Sequence, residues 1–252
     1  YIDTQDRFVR QPCDHYFLTP PEDFIYDHFP DDPKWQLLEN PPPKDDFERM
    51  AFLRPAYFDN SLKLVSRPES AIPGDSFATL AFEAPADVLL SADVMRGKDN
   101  DDAASTLIQR DGDRLKLAAS IPRAGSYTLR VYAKRRSDPG AYQWAADYKI
   151  DISSDATTKM AFPTTFSTFH DKNACLQTPM DGTLKSGSKE SFKLTVPGAE
   201  SVAVIVAGKW SKLDKHGDVF EGQAEIKGSD VSVAAKFPGS DSYYVLLKYS
   251  VS

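Results

Sequence analysis

The chain has 252 residues, 41% of them hydrophobic and 12% aromatic, with 30 Lys and Arg against 37 Asp and Glu for a formal charge of −7. That length supports one to three domains with real cores, and the apolar content excludes wholesale disorder. No apolar run reaches the roughly 18 residues of a membrane span, and no cationic cluster beyond Lys134-Arg135-Arg136 suits a phosphate backbone, so neither a membrane span nor nucleic-acid binding is expected. The chain opens Tyr1-Ile2-Asp3 without a basic or apolar leader and reads as the downstream part of a longer polypeptide. Two distant cysteines, Cys13 and Cys175, and no Asn-x-Ser/Thr sequon favour a cytoplasmic, reducing setting, with secretion as the alternative.

Residues 1–54 mix helical signals with proline clusters. Asp14-His15-Tyr16-Phe17-Leu18 reads as a strand, and Thr19-Pro20-Pro21-Glu22 as a helix start with a Thr cap and a Glu at the third position, the helix running through Asp27. Pro30, Pro33 and Pro41-Pro42-Pro43 follow, then a second short helix over Asp45 to Ala51. The apolar residues here are too few to offset the entropy of ordering the segment, so it must pack against another domain.

From Pro55 the pattern turns to β. Leu115, Leu117, Ala119 and Ile121 alternate with polar or small residues, as do Tyr127, Leu129 and Val131, and Tyr148, Ile150 and Ile152, the period of half-buried strands. Turn signals stand at Pro73-Gly74-Asp75, Asp111-Gly112-Asp113, Arg123-Ala124-Gly125 and Asp138-Pro139-Gly140. A first β-sandwich is expected over 55–153. After the polar linker Ser153 to Thr158, Phe192, Leu194 and Val196 alternate again and Val202 to Ala207 is a continuous apolar strand, giving a second sandwich over 160–252. Val231 to Pro238 lies over Leu115 to Pro122, each followed by a glycine turn and a tyrosine-bearing strand, which predicts one hairpin-like motif closing both sandwiches.

The run His15 to Leu38 (HYFLTPPEDFIYDHFPDDPKWQLL) resembles the segment that follows the catalytic core in transglutaminase-like proteins of the kyphoscoliosis peptidase and hillarin group. Pro122 to Ile150, Cys175 to Lys185, Gly208-Lys209-Trp210 and Phe220-Glu221-Gly222 are similar to that group's C-terminal region. The resemblance implies a mainly β fold: two tandem Ig-like sandwiches preceded by a short α/β segment, residues 1–54, from the end of a transglutaminase-like core. It also implies that the family's Cys-His-Asp triad lies upstream of Tyr1, so no residue here inherits a catalytic role. The implied partners are proteins, cytoskeletal ones included, together with an N-terminal transglutaminase-like core.

The residues themselves offer few sites. Cys13 and His15 would share a strand face, but residues two apart on a strand stand about 7 Å apart at Cα, too far for a direct thiolate–imidazole pair. His15 and His28 are expected to pack beside Tyr16 and Phe29. Asp99-Asn100-Asp101-Asp102 and Asp111-Gly112-Asp113 cluster calcium-type oxygens without fixed ligand spacing, and read as solvated loops. His15, His28, His170 and His216 show no paired zinc spacing. Trp144, near Tyr142 and Tyr148, and Trp210 are expected to be buried in cores or between domains rather than lining a groove. A Cys13–Cys175 disulfide would clamp the N-terminal segment to the second sandwich, a matter of geometry that spacing leaves open. No catalytic, cofactor-binding or metal residue is assigned and no cofactor is expected. The leading function is a non-catalytic, protein-binding structural scaffold. The alternatives are the C-terminal part of a transglutaminase-like enzyme or cysteine protease, and an extracellular structural or ligand-carrying protein.

Overall fold

The computed structural model describes residues 14–65, 77–156 and 160–252. Cys13, the Pro73-Gly74-Asp75 turn and part of the expected linker lie outside the described residues.

The N-terminal zone departs from the sequence expectation in detail. Asp14–Tyr16 is a single 3-10 turn, not a strand, and among the described residues no neighbouring strand offers it a ladder. Helix α1 spans only Pro21–Phe24 and is capped by Pro20, with no side-chain bond from Thr19. The tandem prolines explain the shift: the residue before a proline is driven out of the helical region, so Pro20 is extended and helix begins one residue later than the Thr cap would place it. The second helix, α2 (Lys44–Phe47), is likewise shorter than expected. This zone packs on the β-rich part of the chain: Ile25 is buried, Tyr26 lies against the first core, and the His15 ring stacks on Phe58 at 5.1 Å.

The first sandwich comprises β1 (Phe52–Leu53), helix α3 (Pro55–Asp59), β2 (Lys63–Leu64), β3 (Phe77–Glu83), β4 (Val88–Arg96), β5 (Asp99–Asn100), β6 (Ser105–Asp111), β7 (Arg114–Ser120), β8 (Gly125–Arg135) and β9 (Gln143–Ile152). One sheet runs β2-β3-β7-β6 and the facing sheet β1-β9-β8-β4-β5, all antiparallel. This is the Greek-key arrangement of an immunoglobulin-like domain, with the A-B-E-D strands on one side and G-F-C on the other. The inward residues of β3 and β7, Leu80, Phe82 and Leu117, meet Leu129, Tyr148 and Ile150 of β8 and β9 in one core. At the start of β8 the Tyr127 hydroxyl donates to the Arg123 carbonyl at 3.0 Å, the tyrosine corner of such folds, which pins the crossing from β7 to β8.

The second sandwich comprises β10 (Thr164–Thr165), α4 (Ser167–Asp171), β11 (Cys175–Thr178), β12 (Thr183–Leu184), β13 (Lys189–Thr195), β14 (Ser201–Val206), β15 (Lys209–Lys212), β16 (Asp214–His216), β17 (Val219–Glu225), β18 (Val231–Lys236) and β19 (Tyr243–Val251). Its sheets run β11-β13-β17-β16 and β10-β19-β18-β14-β15, with β12 parallel to β19. The strand plan repeats the first sandwich.

The repeat is not the one the sequence overlay predicts. Leu115 to Pro122 belongs to β7, whose continuation β8 crosses to the opposite sheet, whereas β18 pairs directly with β19. The overlay therefore set an E strand on an F strand. The true recurrence is Leu53 to Leu64 against Thr165 to Leu176. Arg54 and Phe166 are extended caps with nearly identical angles (φ −112 each), each followed by a five-residue helix. Ser61 and Asn173 then take left-handed conformations (φ 53 and 50). The following residues, Leu62 and Ala174, return their N–H to the carbonyls of Tyr57 and Phe169, and both rings are buried.

The two sandwiches meet along β6. Leu107 points out of its own domain and is buried in the second domain's core with Leu176 and Phe192, while Ile108 beside it enters the first core. Polar contacts flank it: Gln109 Oε1 accepts from the Leu176 N–H at 2.5 Å, Ser105 Oγ from the Phe162 N–H at 3.0 Å, and Arg136 donates to Asp171 at 2.8 Å. Leu107→Ala is expected to cost about 2–4 kcal/mol and to split one unfolding transition into two, as read by urea titration followed with circular dichroism and tryptophan fluorescence. A single transition with an unchanged midpoint would refute this coupling.

Candidate functional site

Among the described residues Cys175 pairs with no histidine, whereas His15 and His28 meet at Asp27. Cys175 opens β11 as a free thiol, and its burial, then the charge of Asp111, pushes it above the ordinary thiol pKa. A raised pKa keeps the neutral thiol, the opposite of what activates a nucleophile. His170 sits on α4 at the domain junction, its Nε2 paired with Thr165 Oγ1 at 2.9 Å, while His216 is exposed on β16 beside Glu221 at 3.8 Å. In the N-terminal zone the Asp27 carboxylate is buried, 2.5 Å from His28 Nδ1 and 3.9 Å from His15 Nε2. His15 and His28 both contact the Tyr16 ring, and His28 stacks on Phe24 at 4.2 Å rather than on Phe29.

The acidic loops hold their oxygens for local structure. Asp99 and Asn100 form β5 against Arg96 and Met95, Asp101 accepts from the Ala103 N–H at 2.9 Å, and Asp111 pairs with Lys116 at 2.8 Å. Among the described residues no three His, Cys, Asp or Glu side chains gather around a possible metal position. A cavity of about 110 Å³ lined by Asp93, Asn100, Asp101 and Thr106, and one of about 20 Å³ at the junction, both fall short of the several hundred Å³ of small-molecule sites.

The expectation of burial fails for Trp210, and holds in part for Trp144, which is half-buried under Phe52 and Arg54 of the N-terminal zone. Both Trp144 and Trp210 stand on outer sheet faces, not between sheets. Tyr148 alone of the first aromatic group is a core residue, and Tyr142 lies under the Lys134 ammonium at 5.0 Å. Trp144, on β9, is clamped between the guanidinium groups of Arg130 (4.0 Å) and Arg54 (4.9 Å), and its indole N–H donates to Asp147 at 2.9 Å. Arg130 in turn forks onto both Asp147 oxygens at 2.8 Å, and Phe52 closes the stack at 5.7 Å. Cation–π stacking and a bidentate ion pair thus occupy this face with its own side chains.

Trp210, on β15, has no such cover and is 50% exposed. It meets the Tyr243 ring edge-on at 4.8 Å, and the Tyr243 hydroxyl donates to Ser201 at 3.0 Å. Lys212, Ala203, Ala234 and Val245 stand side by side across four strands of this sheet. Position in a period-two pattern distinguishes inward from outward residues, but not a covered aromatic from an open one, so the strand pattern did not separate Trp144 from Trp210.

Comparison with known proteins agrees with this architecture. Residues 44–164 match the family described as KY-like, immunoglobulin-like domain, which covers the first sandwich. The chain is 32% identical over 139 residues to the kyphoscoliosis peptidase of Homo sapiens, a match covering 54% of this chain and 21% of that protein. It is 43% identical over 63 residues (25% of this chain, 9% of the relative) to the Lim and transglutaminase domain protein ltd-1 of Caenorhabditis elegans. With hillarin of Drosophila melanogaster it shares 39% identity over 59 residues, 23% of this chain and 7% of that protein. The match thus spans about a fifth of the length of the kyphoscoliosis peptidase. Among solved structures, the tandem Ig repeats of Dlar cover 76% of this chain and 97% of their own at 12% identity and a TM-score of 0.22, too low a score to inform fold or function.

His170 supplies a pH signature. Burial lowers its pKa, with Asp171 opposing and Arg136 reinforcing the shift. The folded chain then binds fewer protons than the unfolded chain, so stability rises with pH and is lost as pH falls below about 6.5, the ordinary histidine value. Urea midpoints should drop between pH 7.5 and 5.5, and His170→Gln should flatten that slope. An unchanged slope in the variant would refute the assignment.

Proposed function

We propose that this chain is a non-catalytic scaffold region of a transglutaminase-like protein, built to hold protein partners on two locked sandwiches. The domain reading is that 1–54 is the tail of a transglutaminase-like core with its connector, whose last strand, β1, pairs onto the first module, and that 55–153 and 160–252 are the two Ig-like modules. The observation that carries it is the exposed apolar surface of the described residues of the N-terminal zone. Phe17, Leu18, Trp35 and Leu37 are all exposed, Leu18 to 87%, and Leu18 and Leu37 hold left-handed backbone angles unusual for such side chains. Large apolar groups displayed on a short, proline-fixed segment suit a surface completed by another domain. The names of the relatives, a peptidase and a transglutaminase domain protein, support placing the chemistry in that other domain. Partner proteins are read as including cytoskeletal ones and the compartment as cytoplasmic. No helix among the described residues is long and apolar enough to cross a membrane.

Two measurements test this. The intact chain is expected neither to hydrolyse casein nor to join glutamine to lysine, and turnover abolished by Cys13→Ser or Cys175→Ser would overturn the non-catalytic reading. In the natural protein, chemical cross-links from Lys34 and Lys44 should reach residues outside this chain. Cross-links confined to the two sandwiches would overturn the docking role of the N-terminal zone.

A further inference from the structure

The sheet formed by β15, β14, β18 and β19 is chemically unlike the rest of the molecule. Its four strands carry Lys209, Lys212, Lys236 and Lys248 and not one Asp or Glu, in a chain whose formal charge is −7. Val202, Val204, Val231 and Val233 point into the core, so Ala203, Ala234 and their row mates face outward. Yet both alanines are buried. The Trp210 and Tyr243 rings, in contact at 4.8 Å although they come from β15 and β19, with β14 and β18 between them, account for this by roofing the alanine floor. The result is an apolar centre, with Trp210 half exposed at the β15 end and Val245 exposed on β19, rimmed on this face by Lys212, Lys236 and Lys248, while Lys209, opposite the core residue Val206, lies on the other face. Two of these, Lys236 and Lys248, lean on carboxylates of the flanking loops, Asp241 at 3.7 Å and Asp230 at 3.2 Å.

The charge decides among occupants. Two copies of this face brought together would set lysine against lysine, which disfavours a two-fold pairing. Strand addition at β15 is discouraged by Lys209 and Lys212 on that edge. The complementary object is an acidic surface with an apolar centre, which pairs its carboxylates with the lysine rim and covers the ring, as desolvated aromatic anchors do.

We propose that this outer face of the second sandwich docks an acidic protein segment whose aromatic or branched aliphatic side chain is set down on Trp210. The proposal rests on the reading of the chain as a protein-binding region and names the surface and the partner's chemistry. The test pans a displayed library of random 12-residue peptides against the intact chain. Enriched peptides should carry Asp and Glu around Trp, Phe or Leu. Binding of the best of them should weaken at least tenfold with Trp210→Ser and with Lys212→Glu plus Lys236→Glu, and persist with Lys212→Arg, each variant being checked for unchanged thermal unfolding. Trp210→Phe, a milder change, should weaken binding less than Trp210→Ser. No enrichment, neutral or basic peptides, or binding indifferent to these substitutions would overturn the proposal. So would equal, Trp210-dependent binding to phosphatidylserine vesicles, or Trp210-dependent self-association in sedimentation, which would assign the face to lipid or to a second copy. Peptides mapping to the N-terminal zone would sink this face while leaving the protein-binding reading intact, and casein turnover would sink that reading instead.

Discussion

Strand β6 is used on both of its faces, and the shape of the molecule depends on it. Period-two alternation sends Ile108 and Arg110 inward, where Arg110 donates to the carbonyls of Ala84, Pro85 and Val88 and closes the turn between β3 and β4. The other face sends Leu107 and Gln109 into the second sandwich. An edge strand normally leaves one face and one ladder open, a hazard for uncontrolled pairing. Here the neighbouring domain covers the outward face of β6, so that face is closed by the domain contact. A chain joined this way behaves as a fixed unit, because straightening or twisting the junction would return Leu107 to water and strand the Gln109 and Arg136 partners.

The alternating strands from Leu115 onward were legible in the sequence, because half-buried strands impose a strict period and the turns between them need residues such as Gly112 at φ 64. The same regularity misled the comparison of the two sandwiches. Any two strands with small or branched residues facing inward can be laid over each other, and the overlay of β7 on β18 matched alternation rather than position. The motif that does recur hid because its constraint is on backbone angles. Ser61 and Asn173 fill the same left-handed turn with different side chains, and Tyr57 and Phe169 fill the same core position with different rings. The N-terminal zone failed for a local reason: consecutive prolines act through the residue before them, which a capping pattern read one residue at a time does not weigh.

The two tryptophans show why a candidate site is harder to read than a fold. Sandwiches often bury a tryptophan between sheets, which gives the wrong answer for both here. What decides exposure is the company across the strand: Arg130 on β8 reaches Trp144 and Asp147 together, and Arg54, brought in by the short β1 pairing, closes the other side of the ring. Arg54 and Trp144 lie far apart in the chain, and only the register unites them.

The difference between the two faces follows from arginine against lysine. The last arginine of the chain is Arg136, and every cation of the second sandwich is a lysine or histidine. A planar guanidinium can lie on an indole while its fork holds a carboxylate, so it covers the ring and satisfies itself in one geometry. An ammonium can stand over a ring, as Lys172 does over Phe237 at 4.6 Å, but it has no planar fork with which to lie flat on an indole and hold a carboxylate at the same time. Lysines on the equivalent sheet of the second sandwich therefore surround Trp210 without covering it. One strand plan, used twice with different cations, yields a face closed by its own side chains and a face left open beside it.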